Sequence, residues 1–206
     1  MNLYKLFRIA CADLLVLQEM EYNGMVWNSE EAMKYADELQ SKIDAIVRAF
    51  HNLGFESCVL LSSNKHLSCI LYGGIIIEDV RVPIGYYKSG ARQGQVRYAV
   101  QQVEHPFPKL VEPLQKSETK NSQKVEGNEY REYSVSEETL KQLKATKKAR
   151  QIIEYVLEYR RLDKLRSTYL EGYTNLMNEN GWKHNMIHGS LNQCVTVTGR
   201  LSSTQP

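Results

Sequence analysis

Hydrophobic and polar residues repeat with helical spacing in the first quarter of the chain. An apolar majority between Leu6 and Tyr22 predicts a largely buried helix, which Asn23-Gly24 would end. A second, long helix is predicted to start at Asn28 or Ser29 and to stop at Gly54. Its apolar face would consist of Ala32, Tyr35, Ala36, Leu39, Ile43, Ile46, Val47 and Phe50.

The middle of the chain has a different pattern. Short β-branched runs at 75–77 and 80–82 predict strands, and so does the alternation within 95–103. Glycine and lysine between 85 and 94 suit the connecting turn, so a β-hairpin is expected. The Pro-, Lys-, Ser- and Glu-rich segment 105–129 predicts an exposed connector.

Helical periodicity returns after this connector. Ser134 and Glu137 have the spacing of a capping box, which predicts a helix start with Ser134 as the cap. The helix is expected to break near Ala145-Thr146 and to continue to about Tyr169, followed by a loop or short helix over 170–182.

The last residues favour a strand. Alternation and β-branched residues predict a strand over Ser190–Val197, and Gly199 permits a turn that re-aims Arg200. Together with the long helices and the hairpin, this predicts an α+β fold that is mostly α. Arg200 and the nearby hydroxyls of Thr196, Thr198, Ser202 and Ser203 suit a polyanion, although a plain surface hairpin also explains them.

The positive charge of the chain is concentrated in one segment. The chain has 206 residues, 42% hydrophobic content and a net charge of +2, which suits one or two domains with a sizeable core. Nine basic and three acidic residues lie between Lys141 and Arg166, so this segment carries +6 and the remainder −4. A predicted apolar stripe lies opposite Arg150, Arg161 and Lys164, so the helix can pack and still present cations, although many such faces are merely solvated.

Other site types have little support in the sequence. No apolar run approaches the ~18 residues of a membrane span, and no secretory leader is recognisable, so a soluble cytoplasmic protein is expected. Its four cysteines are scattered without paired spacing, which favours reduced thiols over a zinc site or disulfides. Ser62 or Ser63 can cap a short helix with Lys65 in its first turn; this is either a phosphate site or an ordinary capped helix.

Three motifs, taken in order, resemble family A DNA polymerases. They are Met-Glu-x-Asn-Gly at 20–24, Leu-x-Lys-Leu-x-Ser-Thr-Tyr at 162–169 and Thr-x-Thr-Gly-Arg-Leu-Ser-Ser at 196–203. The stretch 62–67 resembles the Ser-Ser-x-Lys-x-Leu helix of the thumb tip, with Leu60 where the family often has Asn.

The resemblance implies the parts of a polymerase. Residues 1–25 would be a linker helix from a missing exonuclease domain. Residues 26–181 would form the thumb, with long antiparallel helices and a β-hairpin and flexible insertion at 75–133. Residues 182–206 would be the first antiparallel strands of a truncated palm sheet.

The resemblance also implies a function in DNA replication. The thumb of a DNA-directed DNA polymerase binds primer–template DNA, and here the implied contacts are Ser62, Ser63, Lys65, Arg160, Lys164, Arg166, Ser167, Thr168, Thr198 and Arg200. Among these, Lys164, Ser167 and Thr168 would contact backbone phosphates, with Arg160 and Arg166 beside them, and Arg200 would lie at the primer end.

The catalytic residues of the family are expected outside this sequence. No catalytic or metal-binding residue is assigned here, the chain alone would be inactive, and Mg²⁺ is implied only for the complete polymerase. A second chain would then carry the remaining palm and the fingers, and the 75–133 insertion could bind a processivity partner. A phage protein in the bacterial cytoplasm is expected. Two alternatives stay open: a free-standing DNA-binding accessory protein with a polymerase-like thumb, and a basic helical protein-interaction module.

Overall fold

The structure, a computed structural model, describes residues 2–55, 59–114, 133–193, 195–196 and 200–204. Helices predominate in this part of the chain, together with three two-stranded antiparallel sheets. The predicted α+β class, mostly α, is confirmed. Among the described residues, no helix combines the length and the apolar character that crossing a membrane requires.

The chain forms two compact units. The first unit comprises Met1–Ile43 and Arg161–Pro206, and the second comprises Asp44–Arg160. The predicted division at residues 25 and 181 remains a prediction about the family's domains.

Helix α1, Leu3–Asn23, belongs to the first unit. Asn2 caps it by accepting a hydrogen bond from the backbone amide of Tyr4, and Gly24 ends it with a φ of 65°. Leu17 is its buried residue, whereas side chains such as Leu15 are 70% exposed. The expectation of a largely buried helix is therefore wrong, because an apolar majority does not show what covers it.

Helix α2, Ser29–His51, begins as predicted. The Asn28 side chain accepts a hydrogen bond from the amide of Glu31 at 3.3 Å, so Asn28 is the cap. The predicted apolar face is buried at Ala32, Ala36, Leu39, Ile43 and Phe50. Tyr35 departs from it and is 60% exposed.

The second unit has a continuous apolar core around helix α3, Asn64–Tyr72. Val111 is also buried in this core, and its amide donates to the carbonyl of Leu71 at 2.9 Å. The predicted exposed connector is therefore wrong for its first residues; residues 115–132 lie outside the described part. The largest fully buried side chains of the core are Phe50, Leu67, Ile70, Leu71, Leu140, Ile152 and Val156.

The predicted β-hairpin is present and longer than expected. Strand β2, Gly74–Tyr86, pairs antiparallel with β3, Val96–Phe107, and the register shifts between Pro83 and Gly85. His105–Phe107 therefore belongs to a strand rather than to the connector, and the Phe107 ring lies 6.3 Å from that of Phe55.

Helices α4, Glu137–Gln142, and α5, Lys147–Lys164, flank the predicted break at Ala145-Thr146. Ser136 caps α4 by accepting from the amide of Thr139 at 3.3 Å, so the proposed Ser134 cap is wrong by two residues. The reason is that the Ser134 hydroxyl accepts a hydrogen bond from the Ser136 amide and pairs with the Thr139 hydroxyl, which places it before the cap.

Beyond α5 the helix continues in a different form. A π-helix covers Leu165–Glu171, and α6 covers Gly172–Glu179. The expected run to about Tyr169 is therefore helical throughout, and the short helix predicted after it is α6.

The remaining strands of the first unit are short. Strand β1, Met25–Val26, pairs with β4, Met186–Ile187, and β5, Ser190–Asn192, pairs with β6, Ser202–Thr204. The strand predicted over Ser190–Val197 is therefore too long, since pairing ends at Asn192. Of the two described cysteines, Cys11 is exposed and Cys69 is buried, and neither forms a disulfide.

Candidate nucleic-acid interface

The residues of the Leu-x-Lys-Leu-x-Ser-Thr-Tyr motif lie where α5 becomes the π-helix. The Ser167 hydroxyl donates to the carbonyl of Asp163 at 2.7 Å, a bond that competes with regular helical pairing. The backbone amide of Gly172 donates to the carbonyl of Ser167, five residues earlier, and to that of Tyr169. A Cβ on Gly172 would lie 3.1 Å from the Ser167 carbonyl oxygen, so glycine suits this close approach.

The junction of α5 and the π-helix leaves a cation and two hydroxyls on the surface. Lys164, Ser167 and Thr168 are all exposed, and none of the π-helix residues is buried. Lys164 forms no ion pair with another described residue. Because π-helical segments interrupt regular helices at some cost, they frequently occur at functional sites. We call Lys164, Ser167 and Thr168 the motif face.

Arg166 points its guanidinium back to the helix instead. Its Nη1 lies 2.5 Å from Oε1 of Glu171, and its Nη2 lies 3.2 Å from Oδ1 of Asp163. Burial lowers the pKa of Arg166, but the hydrogen bonds and charges of Asp163 and Glu171 outweigh burial and raise this pKa above its ordinary value. Arg166 therefore joins the last turn of α5 to the end of the π-helix.

Arg160, in the second unit, is also engaged inside the protein. Its Nη1 donates to the carbonyl of Val135 at 2.5 Å, and its Nη2 donates to Oδ1 of Asn64 at 2.7 Å. Burial lowers the pKa of this half-buried guanidinium, opposed by the charge of Glu137. Because Asn64 is the first residue of α3, Arg160 fixes the start of that helix.

The second unit presents Ser62 and Lys65 at the N-terminus of α3. Ser63 caps this helix by accepting from the amide of His66 at 3.4 Å, while Ser62 and Lys65 are exposed. Nδ1 of His66 accepts from the amide of Leu60 at 3.1 Å, which orders the loop where the family often has Asn. Burial and the charge of Lys65 lower the pKa of His66, so the imidazole stays neutral and can accept this bond.

Arg200 lies between β5 and β6 in the first unit, where its side chain is exposed. The hydroxyl of Thr196 donates to its backbone carbonyl, so the chain is fixed while the guanidinium stays on the surface. Thr198 lies outside the described residues.

The first unit also brings the Met-Glu-x-Asn-Gly motif next to residues 187–191, which precede the Thr-Gly-Arg motif. Glu21 accepts a hydrogen bond from the amide of Leu191 through its carboxylate, and its carbonyl lies 2.9 Å from Nδ1 of His188. A Cβ on Gly24 would lie 2.7 Å from the carbonyl oxygen of Ile187, so the chains pass closely there. Sequence reasoning missed the roles of Glu21 and His188, because nothing in a linear motif indicates a partner more than 160 residues away.

The implied DNA contacts divide between the two units. Lys164, Arg166, Ser167, Thr168 and Arg200 are in the first unit, and Ser62, Ser63, Lys65 and Arg160 are in the second. Within the described ranges, no three His, Cys, Asp or Glu side chains form a group able to hold a metal ion.

Comparison with known proteins identifies the family of this sequence. The model of DNA polymerase family A matches residues 108–206. DNA polymerase I of Bacillus subtilis (strain 168) is 27% identical over 192 residues, which is 93% of this chain and 16% of that protein. DNA polymerase I of Deinococcus radiodurans is 32% identical over 154 residues, covering 69% of this chain and 15% of that protein.

Another relative matches a shorter stretch of this chain with a higher sequence identity. The thermostable DNA polymerase I of Thermus aquaticus is 41% identical over 64 residues, 31% of this chain and 7% of that protein. The chain thus spans about a sixth of the length of the first relatives, at 16% each. With the family match over its second half and related sequence over 93% of its length, this chain belongs to DNA polymerase family A.

Proposed function

We propose that this chain serves DNA replication as the part of a DNA polymerase that holds the primer–template duplex. One observation carries this proposal: the motif face is exposed at the junction of α5 and the π-helix, inside the segment that the family model matches, and its lysine forms no ion pair with another described residue. The lysine and the Thr168 hydroxyl are donors that suit phosphate oxygens, which fix a protein on DNA without reading its sequence. The Ser167 hydroxyl has a single proton and would exchange its bond to the Asp163 carbonyl for one to phosphate.

The electrostatics of the motif face favour a polyanion. Asp163, the acidic residue next to it in the sequence, is neutralised by Arg166 at 3.2 Å. Lys164 therefore keeps its charge available, while the neighbouring carboxylate is already paired. In our proposal Arg166 positions the motif face and does not itself contact phosphate.

Arg200 is proposed to lie at the primer end of the duplex. Its exposed guanidinium suits acceptor groups in a groove, and its backbone is held by Thr196. We expect Arg200→Ala to weaken binding to a duplex with a recessed 3′ end more than binding to a blunt duplex. Equal losses on the two substrates would contradict a role at the primer terminus.

Duplex binding is tested by the salt dependence of affinity. Each phosphate contact by a lysine contributes about −0.9 to the slope of log K against log salt on duplex DNA. We expect Lys164→Ala to make this slope shallower by about 0.9, so that its affinity deficit shrinks about threefold between 50 and 200 mM salt.

Lys34→Ala is the matched control for this titration. Lys34 is an exposed lysine of α2 in the same unit and lies outside the three motifs. Lys34→Ala therefore removes one positive charge, as Lys164→Ala does. We expect it to leave the slope unchanged. Equal slopes for wild type and Lys164→Ala, or no duplex affinity at low salt, would overturn the proposal.

We further propose that nucleotidyl transfer and its Mg²⁺ depend on residues other than those described here. In the part of the chain that the structure describes, no three His, Cys, Asp or Glu side chains come together as a metal site. No catalytic step is therefore assigned to them. A second chain with the remaining palm and fingers, and a processivity partner at 75–133, stay predictions.

A further inference from the structure

The end of the β2–β3 hairpin carries a positive charge that no carboxylate balances within the same segment. Between Val80 and Val103 there is no Asp or Glu, whereas four basic residues give +4. None of these four forms an ion pair or side-chain hydrogen bond with another described residue. They are Arg81, Lys88, Arg92 and Arg97. The end of the hairpin therefore attracts anions.

One face of this hairpin combines cations with aromatic rings. Directly paired residues of antiparallel strands share a face, so Arg81 and its partner Val100 lie beside Tyr98 and its partner Pro83. Arg81, Tyr98 and Val100 line a shallow depression of about 280 Å³. Tyr87, Arg92, Gln95 and Val96 complete its lining. We call this surface the distal face; Tyr98 is 56% exposed on it.

The turn that closes the distal face has ordered backbone geometry. The Tyr87 amide donates a hydrogen bond to the Gln95 carbonyl at 3.0 Å, and the Gly94 amide donates to the Tyr87 carbonyl at 3.0 Å. The register shift between Pro83 and Gly85 adds twist to the hairpin just before the turn. The rings and guanidiniums are therefore presented from a fixed backbone.

Exposed tyrosine and valine on a two-stranded sheet serve no packing role in the second unit. Two-stranded hairpins are marginal in water unless something packs on them. Tyr86 is 68% exposed and Val100 63% exposed, outside the core of the unit. The surface is both aromatic and cationic. Surfaces of this composition bind the phosphate backbone of a nucleic acid by charge and its bases by stacking.

We propose that the distal face binds single-stranded nucleic acid. Arg81 and Arg92 would pair with phosphates, and Tyr98 would stack on an unpaired base. Duplex DNA does not satisfy the tyrosine, because its bases are stacked on each other. An acidic peptide would satisfy the arginines without needing the ring. This inference concerns a different surface from the motif face and does not rest on the duplex-binding proposal.

The test measures binding of the full chain to a fluorescent oligothymidylate of about 20 nucleotides, which forms no duplex. We expect Tyr98→Leu, which keeps an apolar side chain, to weaken binding about tenfold. The double variant Arg81→Gln/Arg92→Gln should make the salt slope shallower by about 1.4, at about 0.7 per contact on a single strand.

Two matched controls separate this surface from the rest of the chain. Tyr35→Leu removes a tyrosine of similar exposure, 60%, from α2, and Arg97→Gln removes a cation from the opposite face of the hairpin. Each should change affinity less than twofold.

Three results would overturn the inference. The first is equal affinity of Tyr98→Leu and Tyr35→Leu. The second is competition by polyglutamate as strong as by unlabelled oligothymidylate, which would indicate an acidic peptide partner. The third is a loss of duplex affinity in Tyr98→Leu as large as its loss of single-strand affinity. Circular dichroism of each variant checks that the hairpin still folds.

Discussion

Replacing Arg166 with glutamine separates a structural role from a direct DNA contact. In the structure the Arg166 side chain is 23% exposed, and its guanidinium pairs with Glu171 at 2.5 Å and with Asp163 at 3.2 Å. The family resemblance places Arg166 beside the DNA, whereas the geometry makes it an internal clamp. An internal ion pair predicts a loss of folding stability in the variant, whereas a phosphate contact predicts a loss of DNA affinity and a shallower salt slope.

The stability loss can be worked out from the two ion pairs. A hydrogen bond to a charged group contributes about 1.5–3 kcal/mol when well buried. Asp163 and Glu171 are 35% and 32% exposed, so solvent screening reduces each contribution to about 1 kcal/mol. Arg166→Gln should therefore destabilise the first unit by about 2 kcal/mol.

Tryptophan fluorescence reports on this unit directly. The chain has two tryptophans, Trp27 and Trp182, and both lie in the first unit. With a urea m-value of about 1–2 kcal/mol/M, the unfolding midpoint should fall by roughly 1–2 M. Lys164→Gln removes an exposed and unpaired lysine next to the clamp, and should change the unfolding free energy by less than about 0.5 kcal/mol.

A double-mutant cycle identifies the interaction. Glu171→Gln alone should destabilise the unit, and the double variant Arg166→Gln/Glu171→Gln should lose less than the sum of the single losses. An internal role for Arg166 would be contradicted if Arg166→Gln kept the wild-type unfolding midpoint while its salt slope for duplex DNA became shallower. That pair of results would mean that Arg166 contacts phosphate.

Three further outcomes follow from the structure. Gly24→Ala should destabilise the first unit by at least about 2 kcal/mol, because φ is 65° and the new Cβ would lie 2.7 Å from the Ile187 carbonyl oxygen. Gly181 has a similar φ of 63° but open space around it, so Gly181→Ala should cost only about 1 kcal/mol in the same urea titration. Burial raises the pKa of Tyr72 to about 12, so the folded state favours the neutral phenol. The free energy of unfolding should therefore fall as pH rises above 10. Tyr72→Phe should remove this loss of stability at alkaline pH, as measured by thermal unfolding. His66 has a lowered pKa, so its contribution to stability should be lost as pH falls through the acidic range, and His66→Gln should unfold with a weaker acid dependence.

Local signals allowed much of the fold to be predicted. Asn28 and Ser63 cap their helices as the sequence suggests, because capping depends on a side chain and an amide only three residues apart. The β-hairpin follows from alternation and a glycine-containing turn. The apolar face of α2 follows from its periodicity.

Features that depend on distant or unusual partners could not be predicted. The π-helix differs from an α-helix in hydrogen bonding, not in the spacing that a sequence shows. The exposure of α1 depends on what packs against it, which periodicity does not reveal. The engagement of Arg160 with Asn64, 96 residues away, likewise turns an apparent DNA-binding cation into one with internal partners.

Lysine and hydroxyl variants of the motif face, compared on one duplex, test whether this surface holds the DNA. We expect Ser167→Ala/Thr168→Val to lower affinity at every salt concentration with an unchanged slope, because hydroxyls release no counterions. Lys164→Ala should lower affinity and make the slope shallower by about 0.9. Wild-type affinities and slopes for both variants would contradict the claim that this surface holds the duplex.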